Sequence, residues 1–212
     1  MKMSDFAQLA QLVFQGNAAS VKEKTQSMLD HGADPFAIIS DGLLAGMDIV
    51  SPKFKAGEMY VPEVMMCARA LGEGMKLVKP LIAGKETAVS KTIVIGTVAG
   101  DLHDIGKNLV VMILESGGFN VVDLGVDVSP AKFVEAIQEH NAQVVGLSAL
   151  LTTTMLNMKG TIDLIAEAGL RDRVKVMIGG APVSQNFADE IGADGYCADA
   201  MAAKDMAKGF LN

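Results

Sequence analysis

Gly100-Asp101-Leu102-His103-Asp104-Ile105-Gly106 follows directly on the apolar run Thr92-Ile93-Val94-Ile95-Gly96-Thr97-Val98. The run has the composition of a buried strand, and residues 100–106 have that of a loop leading into a helix. An imidazole thus falls where a strand ends and a helix begins, the crevice in which open α/β sheets bind ligands. Asp101 precedes His103 by two positions, so in an extended loop both side chains point the same way. A carboxylate that accepts from one ring nitrogen fixes the tautomer and leaves the other nitrogen's lone pair free for a metal. Gly106 opens the helix where a side chain would obstruct a bulky ligand.

Working outward from this point, strands and helices alternate. The expected strands are Thr92–Val98, Asn120–Leu124, Gln143–Ser148, Val174–Ile178 and Asp194–Cys197, and the expected helices are Gly106–Ser116, Pro130–His140, Thr153–Ala168, Ser184–Ile191 and Met201–Phe210. Continuous Val- and Ile-rich strands, each followed by a helix, indicate a parallel sheet covered on both faces. Right-handed crossovers then give an open, doubly wound domain. The third strand ends in Leu147-Ser148-Ala149-Leu150-Leu151-Thr152-Thr153-Thr154, which sets hydroxyls at the same sheet edge as His103. Helix capping also accounts for such a cluster. The fourth strand ends in Ile178-Gly179-Gly180-Ala181-Pro182, where paired glycines make a turn and let a ligand approach the backbone.

Residues 1–88 read as helices only. Ser4 to Phe14 has apolar residues at helical spacing and stops at Gly16-Asn17, and a second helix runs from Ala18 to Leu29. Asp34-Pro35 starts a third, carrying Phe36, Ile39, Leu43, Met47 and Val50 on one side. Val61-Pro62 starts a fourth, whose buried stripe is Val64, Met65, Ala68, Leu71, Met75 and Val78, with Pro80 near its end. Four such helices make a small bundle. A polar joint is expected near Ala83-Gly84-Lys85-Glu86-Thr87-Ala88-Val89-Ser90, giving two domains, 1–88 and 91–212.

Composition narrows the function. A chain of 212 residues, half of them hydrophobic, buries a sizeable core in one domain or two. The formal net charge of −7 argues against nucleic acid as a partner. No apolar run approaches a membrane span, and no charged-then-apolar leader opens the chain, so a soluble, cytoplasmic protein without a membrane partner is expected. Cys67 and Cys197 form no pair motif, and with His31, His103 and His140 they show no zinc-ligand spacing.

The order Asp101-x-His103-x-x-Gly106, Ser148-x-Leu150, Gly179-Gly180, with 41 positions between Gly106 and Ser148 and 28 between Leu150 and Gly179, resembles the pattern of cobalamin-binding domains. Gly46-Met47 and then Lys55-Ala56-Gly57-Glu58-Met59-Tyr60-Val61-Pro62 resemble the helical cap module that precedes this domain in methionine synthase. Over essentially its whole length the chain is similar to the small corrinoid proteins of methylotrophic methyltransferase systems. The fold this resemblance implies is α/β: an N-terminal four-helix bundle cap, then a flavodoxin- or Rossmann-like doubly wound, five-stranded parallel sheet that binds cobalamin.

By the same resemblance His103 is the lower axial ligand to cobalt, with the cofactor's own base displaced, and Asp101 braces it. The relay ends in a Ser in methionine synthase; the matching residue here is Thr154, with a hydroxyl and an added methyl. Ser148, Leu150, Gly179 and Gly180 would line the slot for the displaced nucleotide tail, and Thr152 and Ala200 fall where related domains touch the cofactor. Gly100, Leu102 and Asp104 flank the ligand. Tyr60 stands where the family has an aromatic cap, with Met59 and Val64 near it; for those two a place in the bundle core fits equally well. The function implied is methyl carriage between a substrate-specific methyltransferase and a second methyltransferase acting on coenzyme M or tetrahydrofolate, with a reductive activation protein as a third partner. The transfer itself belongs to those enzymes. A cobalamin-dependent sensor or regulator shares the cap and domain but usually adds a DNA-binding region, and a mutase small subunit lacks the helical cap.

Overall fold

The computed structural model describes residues 4–82 and 91–211. The joint expected at 83–90 lies outside the described residues. The chain divides into two compact units, a helical one that also takes in Ser116–Gly118 and an α/β one.

In the helical unit, α1 (Asp5–Phe14) and α2 (Ala18–Asp30) form where the apolar spacing puts them, and Ser4 and Asn17 cap them by accepting from the amides of Ala7 and Ser20. The third helix is composite. Asp34 caps α3 (Pro35–Ala37) as expected, a π-helical stretch covers Ile38–Leu44, and α4 (Ala45–Lys55) resumes the ordinary winding. A π turn holds one more residue than an α turn, so the buried stripe changes phase: Ile38 is fully buried and Ile39 only half-buried, while Leu43, Met47 and Val50 remain buried. In α5 (Val61–Ile82) the buried apolar side chains are Val64, Cys67, Ala68, Ala70, Leu71 and Val78. Met65 is exposed and Met75 half-buried, which corrects two members of the expected stripe. The burying face has rotated toward Cys67 and Ala70, small residues that let α5 lie close to its neighbours.

The α/β unit is a five-stranded parallel sheet in the order β2-β1-β3-β4-β5. Its strands are β1 (Thr92–Thr97), β2 (Asn120–Asp123), β3 (Val144–Ser148), β4 (Lys175–Gly179) and β5 (Gly195–Cys197). Between and after them run α6 (Ile105–Ser116), α7 (Pro130–Glu139), α8 (Asn157–Glu167), α9 (Gln185–Ile191) and α10 (Ala200–Phe210). Side-chain alternation splits the core. Val94, Val145, Val176 and Ile178 face α7, α8 and α9, where Phe133, Ile137, Met158, Ile162 and Ile191 pack. Ile93, Val144 and Met177 face the other way, with Leu114 of α6 and Ala203 and Ala207 of α10. The chain reverses its winding direction between β1 and β3, so the carboxyl ends of those two strands form the topological switch point.

The largest boundary difference is at α8, expected from Thr153 and formed only from Asn157. Residues 151–156 are a turn because Asp101 competes for their polar groups, taking the Thr154 hydroxyl and the amide of Leu151, together with the preceding amide of Leu150.

Gly46 has a packing reason to be glycine. A Cβ there would lie 2.6 Å from Val13 Cβ and 2.7 Å from the Ala10 carbonyl oxygen of α1. Gly46→Ala therefore forces α1 off α4, and urea denaturation should show a loss of about 1–3 kcal/mol.

Candidate functional site

The loop after β1 places Asp101 beneath the sheet edge and His103 at its rim. Asp101 is fully buried, whereas the His103 side chain is 50% exposed. Oδ1 of Asp101 accepts from His103 Nδ1 at 2.7 Å and from the His103 amide at 3.1 Å. Oδ2 accepts from Thr154 Oγ1 at 2.6 Å and from the Leu150 amide at 2.8 Å. Burial by itself pushes the Asp101 carboxyl pKa up. The Thr154 hydroxyl, the Leu150 amide and the two His103 donors outweigh it and hold the carboxyl well below the usual carboxylate range. Because Asp101 is ionised, the shared proton sits on Nδ1, and Nε2 is the ring nitrogen left for a ligand.

Beside His103 opens a cavity of about 550 Å³, within the range of small-ligand clefts. It runs between the α6/α10 face of the sheet and those two helices. Leu102, His103, Asp104 and Gly106 stand on its wall after β1, Ser148 and Leu150 after β3, Gly179 and Gly180 after β4, and Ala200 at the start of α10. Nine residues picked out from three separate stretches of sequence and the start of α10 thus meet around one space. Gly100 and Thr152 do not line it; Gly100 lies in the turn behind His103, and Thr152 is exposed in the turn after β3.

Sequence reasoning missed the floor and the far end of this cavity. Gly146, in the middle of buried β3, is part of its lining with Ile95 and Met177, and Tyr196, Cys197 and Ala198 close the end near β5. A glycine inside a central strand was the available signal, since it marks close approach of a ligand or backbone. Lys107 was also missed. It lines the cavity, is 3% exposed, and its ammonium donates to both oxygens of Asp123 at 2.6–2.7 Å and to Asn108 Oδ1 at 2.7 Å, which uses all three protons. The Cys197 thiol is pushed up to about 12 by burial and by the nearby Asp199 carboxylate.

Two glycines on the wall differ in what they do. Gly180 has φ +131°, and a Cβ there would overlap the Ala149 carbonyl oxygen, so the protein itself requires glycine. A Cβ on Gly106 would meet nothing within 4 Å, so its missing side chain only leaves room. In the helical unit Gly46, Met59 and Val64 are buried and Tyr60 is 69% exposed.

A doubly wound domain with a carboxylate-braced His at the switch point and a cleft beside it is the architecture of a B12-binding domain. Family models described as B12 binding domains match residues 91–204 and residues 6–79. A corrinoid protein of Desulfitobacterium hafniense (strain Y51) is 41% identical over 100% of this chain and 99% of its own. Dimethylamine corrinoid protein 1 of Methanosarcina mazei is 45% identical over 91% and 88% of the two chains. Among solved structures, a chain of the methanol:cobalamin methyltransferase complex of Methanosarcina barkeri superimposes with a TM-score of 0.89 at 33% identity, covering 100% of this chain and 81% of that one. The chain belongs to the corrinoid proteins of methylamine and methanol methyltransferase systems, and its cofactor is cobalamin. No helix among the described residues is long and apolar enough to cross a membrane.

The residues fit this group. Among the described residues no three His, Cys, Asp or Glu side chains gather as a metal site. A lone imidazole with a braced Nδ1 suits a metal whose remaining ligands come from a macrocycle. The cavity beside it, with Gly106 leaving space, suits a long appendage of the same ligand.

Thr154→Val keeps the shape and removes a donor from Asp101. Urea denaturation at neutral pH should show a loss of about 1.5–3 kcal/mol, the range for a hydrogen bond to a charged group. A lowered folded-state pKa stabilises the protein fully above the unfolded value of 3.8 and ceases to do so as pH falls through the lower folded value. The variant raises that folded value, so its deficit should shrink on acidification.

Proposed function

We propose that this chain is a methyl-carrying corrinoid protein that binds cobalamin through His103 Nε2, with the cofactor's own nucleotide base displaced. The observation that carries this reading is the Thr154–Asp101–His103 chain of hydrogen bonds, which occupies Nδ1 and leaves Nε2 as the ring nitrogen available to a metal. Ser148, Leu150, Gly179, Gly180 and Ala200 are assigned to the displaced tail, and Leu102, Asp104 and Gly106 to the edge of the ring. For the helical unit, Tyr60 is exposed and available to a ligand, while Gly46, Met59 and Val64 serve the interior.

Bound cobalamin supplies a metal centre that takes up a methyl group and gives it to a second acceptor. The chain's part is to govern the imidazole. Asp101 keeps the proton on Nδ1 and orients the ring, so Nε2 is presented as a base without competition from its own tautomer. Thr154 donates to the second oxygen of Asp101, which continues the proton path away from the ring. The chain thus orients the ring from the interior and leaves its outer nitrogen for the metal.

The partners proposed are a substrate-specific methyltransferase, a second methyltransferase acting on coenzyme M or tetrahydrofolate, and a reductive activation protein. Support comes from relatives described as dimethylamine and trimethylamine corrinoid proteins and from the neighbour in a methanol:cobalamin methyltransferase complex. A reducing, cytoplasmic setting suits the two buried free thiols, Cys67 and Cys197.

Nitrogen-15-labelled protein loaded with unlabelled cobalamin tests the central bond. In EPR of the cobalt(II) form, labelling should change the axial superhyperfine splitting, and His103→Ala should abolish that change while circular dichroism retains the helices. A splitting indifferent to labelling the protein would sink the reading.

A further inference from the structure

The segment Ala99–His103 carries both Asp101 and His103, yet little apolar burial holds it. Gly100 and every residue from Leu102 to Gly106 are exposed, with Leu102 at 71% and Ile105 at 87%. A segment of this kind is ordered by hydrogen bonds or not at all.

Its backbone polar groups are taken up from β1, from the loop between β2 and α7, and from α8. Thr97, fully buried at the end of β1, donates its hydroxyl to the His103 carbonyl at 2.9 Å. Asn157, the first residue of α8, donates Nδ2–H to the Ala99 carbonyl at 2.7 Å. Asp127 contributes twice. Its Oδ1 accepts from the Gly100 amide at 2.7 Å, and its own amide donates to the Asp101 carbonyl at 3.0 Å. To do both, Asp127 adopts φ +52°, a left-handed conformation that Asp and Asn reach more readily than other side chains. None of these three residues lines the cavity.

We propose that Asp127 is a positioning residue for the axial-ligand loop: through Gly100 and Asp101 it fixes the height at which His103 presents its imidazole, and Thr97 and Asn157 close the loop's other ends. The Asp101–His103 bond sets the ring's rotation, but it cannot set the position of the backbone from which the ring projects. Asp127 does so from outside the site. A site of this kind tolerates errors of only about 0.5 Å, and an unclamped exposed loop exceeds that. The effect on cobalt ligation rests on the reading of His103 as ligand, whereas the clamp on the loop stands independently of it.

Three substitutions separate the contributions. Asp127→Asn keeps an acceptor and tolerates the left-handed backbone. Asp127→Gly tolerates the backbone and removes the acceptor. Asn157→Ala opens the loop's start at an exposed residue and supplies a second readout should an Asp127 variant fail to fold. In the cofactor-free protein, exchange of the Gly100 amide measured by NMR should quicken at least about tenfold in Asp127→Gly and stay within about twofold in Asp127→Asn, as loss of one hydrogen bond to a charged group predicts. In the loaded protein, the share of cobalt(II) EPR signal showing nitrogen from the labelled chain should fall in Asp127→Gly and in Asn157→Ala and be retained in Asp127→Asn. The proposal is overturned if Asp127→Gly leaves both readouts at the parent's values, or if Asp127→Asn falls as far as Asp127→Gly. Absence of chain nitrogen in the parent's EPR signal overturns the ligand assignment instead, and the amide exchange still decides the clamp.

Discussion

An ionised carboxylate shut away from water costs several kcal/mol unless donors fill its lone pairs. Asp101 meets that demand with four strong donors drawn from two loops: the His103 ring and amide, the Leu150 amide and the Thr154 hydroxyl. Each bond does a second thing. The Leu150 and Thr154 bonds fold residues 151–156 into a turn and delay the start of α8. The His103 bonds hold the loop against itself and decide which ring nitrogen has the proton. The carboxylate is thus the point where the ends of β1 and β3 are tied together.

The sheet makes this possible by placing those ends side by side. β1 and β3 are neighbours in the sheet although a strand and two helices separate them in sequence. Winding in opposite directions from this pair leaves their carboxyl ends uncovered by crossover helices. The cavity follows the same logic. It lies on the α6/α10 face, where Gly146 leaves the middle of β3 without a side chain, while the opposite face is filled by Phe133, Met158 and Ile162.

Much of this was legible in the chain. Alternating apolar strands and amphipathic helices gave all five strands in order, and Asp101, His103 and Thr154 meet as the spacing and the resemblance implied. Thr154 satisfies the carboxylate with a hydroxyl despite its extra methyl. The features that stayed hidden depend on long-range contact. Helical periodicity assumes a constant turn, so it could not show that Ile38 replaces Ile39 in the core once the winding widens. The α8 boundary moved because a residue some fifty positions earlier captures the Thr154 hydroxyl. Asp127 gave no local signal at all, since its role is a left-handed backbone meeting a distant turn.

Cys197 adds a consequence of another kind. The residue is part of the cavity's lining, and thiolates are strong ligands and strong nucleophiles. A metal that passes a methyl group along would be vulnerable to such a neighbour on both counts. Burial beside Asp199 keeps the sulfur protonated at any physiological pH. The protein can therefore use cysteine there as a small apolar filler, chemically silent in a cofactor cleft, and the electrostatics of one carboxylate help to guarantee that silence.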